Sequence, residues 1–286
     1  MLLQDTTFTL LEGRQRPRET RDLYILGALF SGMLAKAAHD VRDPYTAMTH
    51  ARTGLLCARN AESAPLAAWI GGIQSLVAFW AGRPHEALAY AQAAAAEGGT
   101  GTVAVWLASS EGRAWAMLGN EADSLRAIER ADDLREHVQA DELDALGGMC
   151  LFTTARQLYY AADACASLPD PAGRAGVMHG RAEAYAGQAV TAYESAPPAE
   201  RSFGDEAGSR TDLAIARVRA GDLEGAREAA TPVLDLPVTQ RINGVVRSLT
   251  SVHRAITASA TDSRVAGDLQ EEIEAYCRTP APALPR

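Results

Sequence analysis

The sequence predicts an all-α fold, a right-handed superhelix of tetratricopeptide-like helical hairpins. Three observations predict it. The stretch Trp69 to Ala94 carries an apolar helical run that ends at Gly82, turns through Arg83-Pro84 and restarts with small residues at Ala87, Ala91 and Ala94. Those offsets of +5, +9 and +12 from the turn glycine let a second helix lie close against the first, the spacing of a tetratricopeptide hairpin. The turn recurs at 42, 119 and 221, with a looser one near 177, an interval of about forty residues with one longer gap. Strand-type alternation is missing almost everywhere.

Taken in order, residues 1–20 read as an extended lead-in, with Arg14, Arg16, Arg18 and Arg21 around Pro17 as a solvated basic cluster. Residues 21–278 form the repeat domain. Leu23, Leu26, Leu29, Phe30, Met33, Leu34 and Ala37 recur at helical spacing, and Asp43-Pro44 opens the next helix. Ala47, Ala51 and Gly54 keep the offsets, with Arg42 in the glycine's place. Thr102 to Ala131 turns at Gly119-Asn120 and continues through Ser124, Ile128 and Ala131. A looser unit runs from Leu143 to Ala166, breaks at Leu168-Pro169-Asp170-Pro171, and resumes over 179–195 with Ala182, Ala186 and Ala189 facing inward. Gly208 to Leu234 turns at Gly221, and 238–256 and 269–277 are closing helices. Residues 279–286 form a proline-rich tail expected to fray.

Composition narrows the function. With 286 residues the size of the core is not limiting. A net charge of -9 argues against direct nucleic-acid binding, which needs a basic face. Cys57, Cys150, Cys165 and Cys277 are widely spaced without a C-x-x-C, so they read as reduced thiols of a cytoplasmic protein rather than a metal or redox site. No apolar run is long enough for a membrane span, and the start lacks the apolar core of a signal peptide. His39, His50, His85, His137, His179 and His253 are scattered, and no H-E-x-x-H, G-x-S-x-G or phosphate loop is present. No cofactor is implied.

Several separated motifs carry a resemblance. They are Arg21-Asp22-Leu23-Tyr24, Trp80-Ala81-Gly82-Arg83-Pro84, Ala155-Arg156-Gln157-Leu158-Tyr159-Tyr160-Ala161 and Arg201-Ser202-Phe203-Gly204-Asp205-Glu206. With Ala220-Gly221-Asp222-Leu223-Glu224-Gly225-Ala226, Pro232-Val233-Leu234-Asp235-Leu236-Pro237 and Gly244-Val245-Val246 they stand in consistent order, and the resemblance covers about Leu10 to Cys277. The chain resembles the C-terminal sensor portion of actinobacterial helix-turn-helix transcriptional regulators of the Cro/repressor type. The resemblance implies a tetratricopeptide-like domain that binds a ligand and relays the event to a DNA-binding module, through a homodimer. No helix-turn-helix fits within residues 1–20, so DNA binding does not transfer to this chain.

Two groups of residues are candidates for a ligand site. In a superhelix of this kind the first helix of each hairpin lines the concave face, which places Lys36, His39, Trp69, Phe79, Trp80, Trp106 and Arg113 along one groove. Aromatic walls with a few cations suit a short peptide's carboxylate or an amphipathic small molecule. Equally, the tryptophans could fill the gaps between repeats, with the cations solvated. The second group is Arg156, Gln157, Tyr159 and Tyr160, where Arg156 and Tyr160 share a helix face at i, i+4. A capping role for these tyrosines is the alternative. The leading expectation is a sensing domain for a small molecule or short peptide. A freestanding scaffold for protein partners, or an enzyme using Tyr159, Tyr160, Arg156 or His39 as acid–base groups, are the rivals.

Overall fold

A computed structural model describes residues 2–169, 176–259 and 263–282. Every regular element among them is helical: α1 (Leu2–Leu11), α2 (Pro17–Asp40), α3 (Pro44–Asn60), α4 (Ala64–Trp80), α5 (Pro84–Ala96), α6 (Thr102–Met117) and α7 (Glu121–His137), then α8 (Thr154–Ser167), α9 (Val177–Ser195), α10 (Phe203–Ala220), α11 (Leu223–Leu234), α12 (Asn243–Ser259) and α13 (Arg264–Cys277). The all-α expectation holds. The break expected at Asp170-Pro171, and the end of the tail beyond Pro282, lie outside the described residues.

The chain divides into two compact units, Met1–Ala114 with Arg126–Phe152, and Trp115–Leu125 with Thr153–Arg286. In the first, α2 packs on α3 and α4 on α5, with α3 also against α4 and α1 against α2. In the second, α8, α9 and α10 pack on one another, and α10 also meets α11 and α12.

The hairpin turns share one mechanism. The Gly82 N–H donates to the Phe79 carbonyl and the Arg83 N–H to the Ala78 carbonyl, a Schellman closure that needs a left-handed residue at its centre. Gly82, Gly119 and Gly221 supply it at φ of 74°, 73° and 82°. Arg42, which stands in the glycine's place, adopts φ 68° with the same hydrogen bonds, and Glu62 does so at φ 51° between α3 and α4. Every +5, +9 and +12 residue named above is buried, so these small side chains set the approach of paired helices.

The lead-in is corrected. Residues 2–11 are helical, and Pro17 opens α2 at its first turn, where a missing N–H costs nothing. The helix α1 buries its polar face. Gln4 and Thr7 are enclosed, Gln4 Nε2 donating to Ser31 Oγ at 2.8 Å, while Leu2, Leu3 and Leu10 face outward. The arginines at 14, 16, 18 and 21 are exposed, as expected.

Candidate functional site

In the first unit the expected groove residues separate into packing and surface roles. Trp69 is 0% exposed and Trp106 is 4% exposed. Both rings insert against glycines: a Cβ on Gly72 would stand 2.6 Å from Trp106 Cζ3, and one on Gly32 would overlap the ring of Trp69. The pattern is regular, since each glycine lies ten residues before its turn and receives the tryptophan that lies thirteen before the next glycine turn. Trp69 Nε1 also donates to the Met149 carbonyl at 3.1 Å, and Trp106 stacks on Phe152 with ring centres 6.3 Å apart. These tryptophans fill the space between helices and present no wall to a ligand.

Arg113 is the buried cation of this unit's candidates. Its guanidinium lies 3.9 Å from the Phe79 ring centre and 5.5 Å from that of Trp80, and the two rings meet edge to face. Such stacking stabilises a desolvated guanidinium, and Phe79 and Trp80 stay half-buried at the rim. Lys36 is drawn to Asp40 on its own helix at 2.6 Å, and His39 is buried in α2. The structure therefore groups Phe79, Trp80 and Arg113, and assigns Trp69, Trp106 and His39 to the interior.

In the second unit the expected residues do converge. Thr153 caps α8, its hydroxyl accepting from the Arg156 N–H, and the first turn of α8 thereby directs Arg156 toward α10. There Ser202 caps the helix and places Asp205 in its first turn, where the helix dipole favours a carboxylate. Arg156 Nε and Asp205 Oδ2 pair at 2.9 Å, with side chains 12% and 21% exposed. Burial opposes the Arg156 charge, but the Asp205 carboxylate, acting with the Tyr160 and Tyr193 phenols, offsets it and holds its pKa above the ordinary arginine value. Tyr159 and Tyr160 meet edge to face at 5.5 Å, and both are buried, as is Gln157. Tyr159 lies so close to Gly208 of α10 that a Cβ there would come within 2.6 Å of its ring and hydroxyl.

One member of the cluster is missing from the sequence expectation. Tyr193 of α9 is fully buried, and its hydroxyl has no hydrogen-bond partner among the described residues. Burial, aided by the charge of Asp205 and against that of Arg156, raises its pKa well above that of an ordinary tyrosine, so the hydroxyl remains a donor. The signal existed: the inward row Ala182, Ala186, Ala189 reaches Tyr193 at the next helical step. Asp205 is readable from sequence as a helix-opening acid, but its partner 49 positions earlier is not.

The arrangement is thus a junction of three helices holding a compensated ion pair, three buried phenol rings and, in the Tyr193 hydroxyl, a donor with no hydrogen-bond partner among the described residues. No group of three His, Cys, Asp or Glu side chains is placed to hold a metal ion among the described residues. No helix among the described residues is long and apolar enough to cross a membrane. Compared with known protein families and with curated proteins, the chain matches none.

Proposed function

We propose that this chain is a sensing domain of tetratricopeptide-like hairpins that binds a small molecule or short peptide at the junction of α8, α9 and α10. In regulators of the type it resembles, such an event is passed to a DNA-binding module. The observation that carries this reading is the Tyr193 hydroxyl, enclosed beside the Arg156–Asp205 pair without an acceptor. An enclosed unsatisfied hydroxyl costs about 1–3 kcal/mol, and alanine or phenylalanine would avoid it. A binding role accounts for the hydroxyl, because a ligand's acceptor would repay the penalty only in the bound state.

The test is a thermal-shift panel of metabolites and short peptides on the whole chain and on Tyr193→Phe. A ligand at about a hundred times its Kd stabilises by about 2.7 kcal/mol, which a melt resolves. The reading expects hits on the wild-type chain that vanish in Tyr193→Phe. An unresponsive wild-type chain, or hits indifferent to the substitution, would remove it.

A second reading, a scaffold for protein partners, has its own observation. An open groove of about 570 Å³ runs along α9, lined by Glu183, Ala184, Gly187 and Thr191 with Leu213 and Arg217 of α10. Gly187→Leu would weaken partner capture under this reading and leave ligand-induced shifts unchanged. If both properties survive the substitution, the groove has no such role.

A further inference from the structure

The junction described above also constrains the chemistry of what it binds. Its two charges cancel: Arg156 and Asp205 form a 2.9 Å pair, largely withdrawn from water. A ligand anion entering here would meet the Asp205 carboxylate or compete for Arg156 and strand Asp205. A ligand cation would meet Arg156. Either adds a net charge to a poorly solvated site, where an unpaired ion is costly. Beside the pair stands a neutral group, the Tyr193 hydroxyl, a phenolic donor with no hydrogen-bond partner among the described residues. The buried side chains of the same junction are aromatic, with Tyr159 and Tyr160 held edge to face at 5.5 Å. Phenol rings in that arrangement favour another ring by edge-to-face or offset contact.

We propose that the α8–α9–α10 junction takes an uncharged, ring-bearing molecule whose carbonyl oxygen accepts a hydrogen bond from the Tyr193 hydroxyl. This rests on the junction being the ligand site, and it narrows the sensing domain's ligand to neutral aromatic carbonyl compounds rather than carboxylates or amines.

The test uses matched probes on the full chain. Acetophenone, benzamide and benzoate share a ring and differ at the acceptor and its charge, and saturation-transfer NMR with titration ranks them. The two neutral probes are expected to bind at least tenfold more tightly than benzoate. Tyr193→Phe should erase that preference, while Tyr276→Phe, which removes another buried hydroxyl of the unit, should keep it. Benzoate binding as well as the neutral probes would overturn the ligand class and leave the ligand site itself standing. Neutral probes binding equally to Tyr193→Phe would overturn the role of the hydroxyl. Failure of all three probes on the wild-type chain also rejects this ligand class, and the metabolite and peptide panel then decides separately whether the junction binds anything. The comparison among probes on the wild-type chain needs no variant, so it stands even if a substituted chain does not fold.

Discussion

Replacing Gly72 by alanine isolates the packing rule that organises the first unit. Two effects oppose each other. Alanine is better in a helix by about 1 kcal/mol. Its Cβ, however, would stand 2.6, 2.8 and 3.0 Å from three carbons of Trp106, about 1 Å inside the favourable carbon–carbon separation. The ring cannot retreat, because it is 4% exposed and stacked on Phe152. Overpacking of this kind costs about 3 kcal/mol at the upper end of its usual range, so the net loss is about 2 kcal/mol. If the first unit, about 140 residues, melts by itself, Tm falls by about 7 °C, and by about 3 °C if the whole chain melts together. Urea and thermal melts of Gly72→Ala, Trp106→Phe and the double variant measure it. Phenylalanine lacks the outer ring carbons that clash, so the double variant should recover most of the loss, a coupling of about 2 kcal/mol. A neutral or stabilised Gly72→Ala, or strict additivity, would refute the packing argument.

Other perturbations follow from the turns and the ionisable groups. Arg42 holds a left-handed φ at a cost of about 1–2 kcal/mol, and glycine's extra unfolded-state freedom recovers only part of that. Arg42→Gly should therefore gain about 0.5–1 kcal/mol in a denaturant melt, and a loss would contradict the strained-turn assignment. Arg156→Gln removes one partner of a mostly withdrawn ion pair and should cost about 2–3 kcal/mol, somewhat below the loss for a fully enclosed pair. An unchanged midpoint in urea would show that Asp205 is satisfied without it. Burial raises the Cys165 thiol to about 11 and the Tyr276 phenol to about 12, against 9.0 and 10.0 for the ordinary groups. The folded chain thus keeps protons that the unfolded chain releases. Their contribution is fully present below about pH 9 and is lost as pH rises toward 12, by up to about 1.4 kcal/mol per pH unit for each group. Tm measured from pH 7 to 11 should decline above pH 9, and a flat profile would count against both burials.

The sequence made the hairpins legible because their requirements are local. A left-handed turn residue followed by small residues at fixed offsets specifies the pairing, and the pattern located Arg42 although it is not glycine. Side-chain direction was harder. Gly32 and Gly72 could equally have opened a groove or admitted a neighbour's ring, and only the position of Trp69 and Trp106 on the next first helix decides it. The helix α1 was missed because its buried face is polar: Gln4 finds Ser31, 27 residues away, and the leucines turn outward. Of the site, Arg156, Tyr159 and Tyr160 were visible as an unusual polar and aromatic patch on one helix. Tyr193 and Asp205 arrive from other helices through packing that no local pattern encodes.

The central claim is that the Tyr193 hydroxyl is kept for a ligand rather than for the fold. Urea denaturation of ligand-free Tyr193→Phe tests it most directly. Removing a hydroxyl with no partner should raise stability by about 1–3 kcal/mol, with phenylalanine filling the same space. A loss of about 1 kcal/mol or more would show that the hydroxyl is already bonded within the folded chain, and the sensing account of this junction would fail.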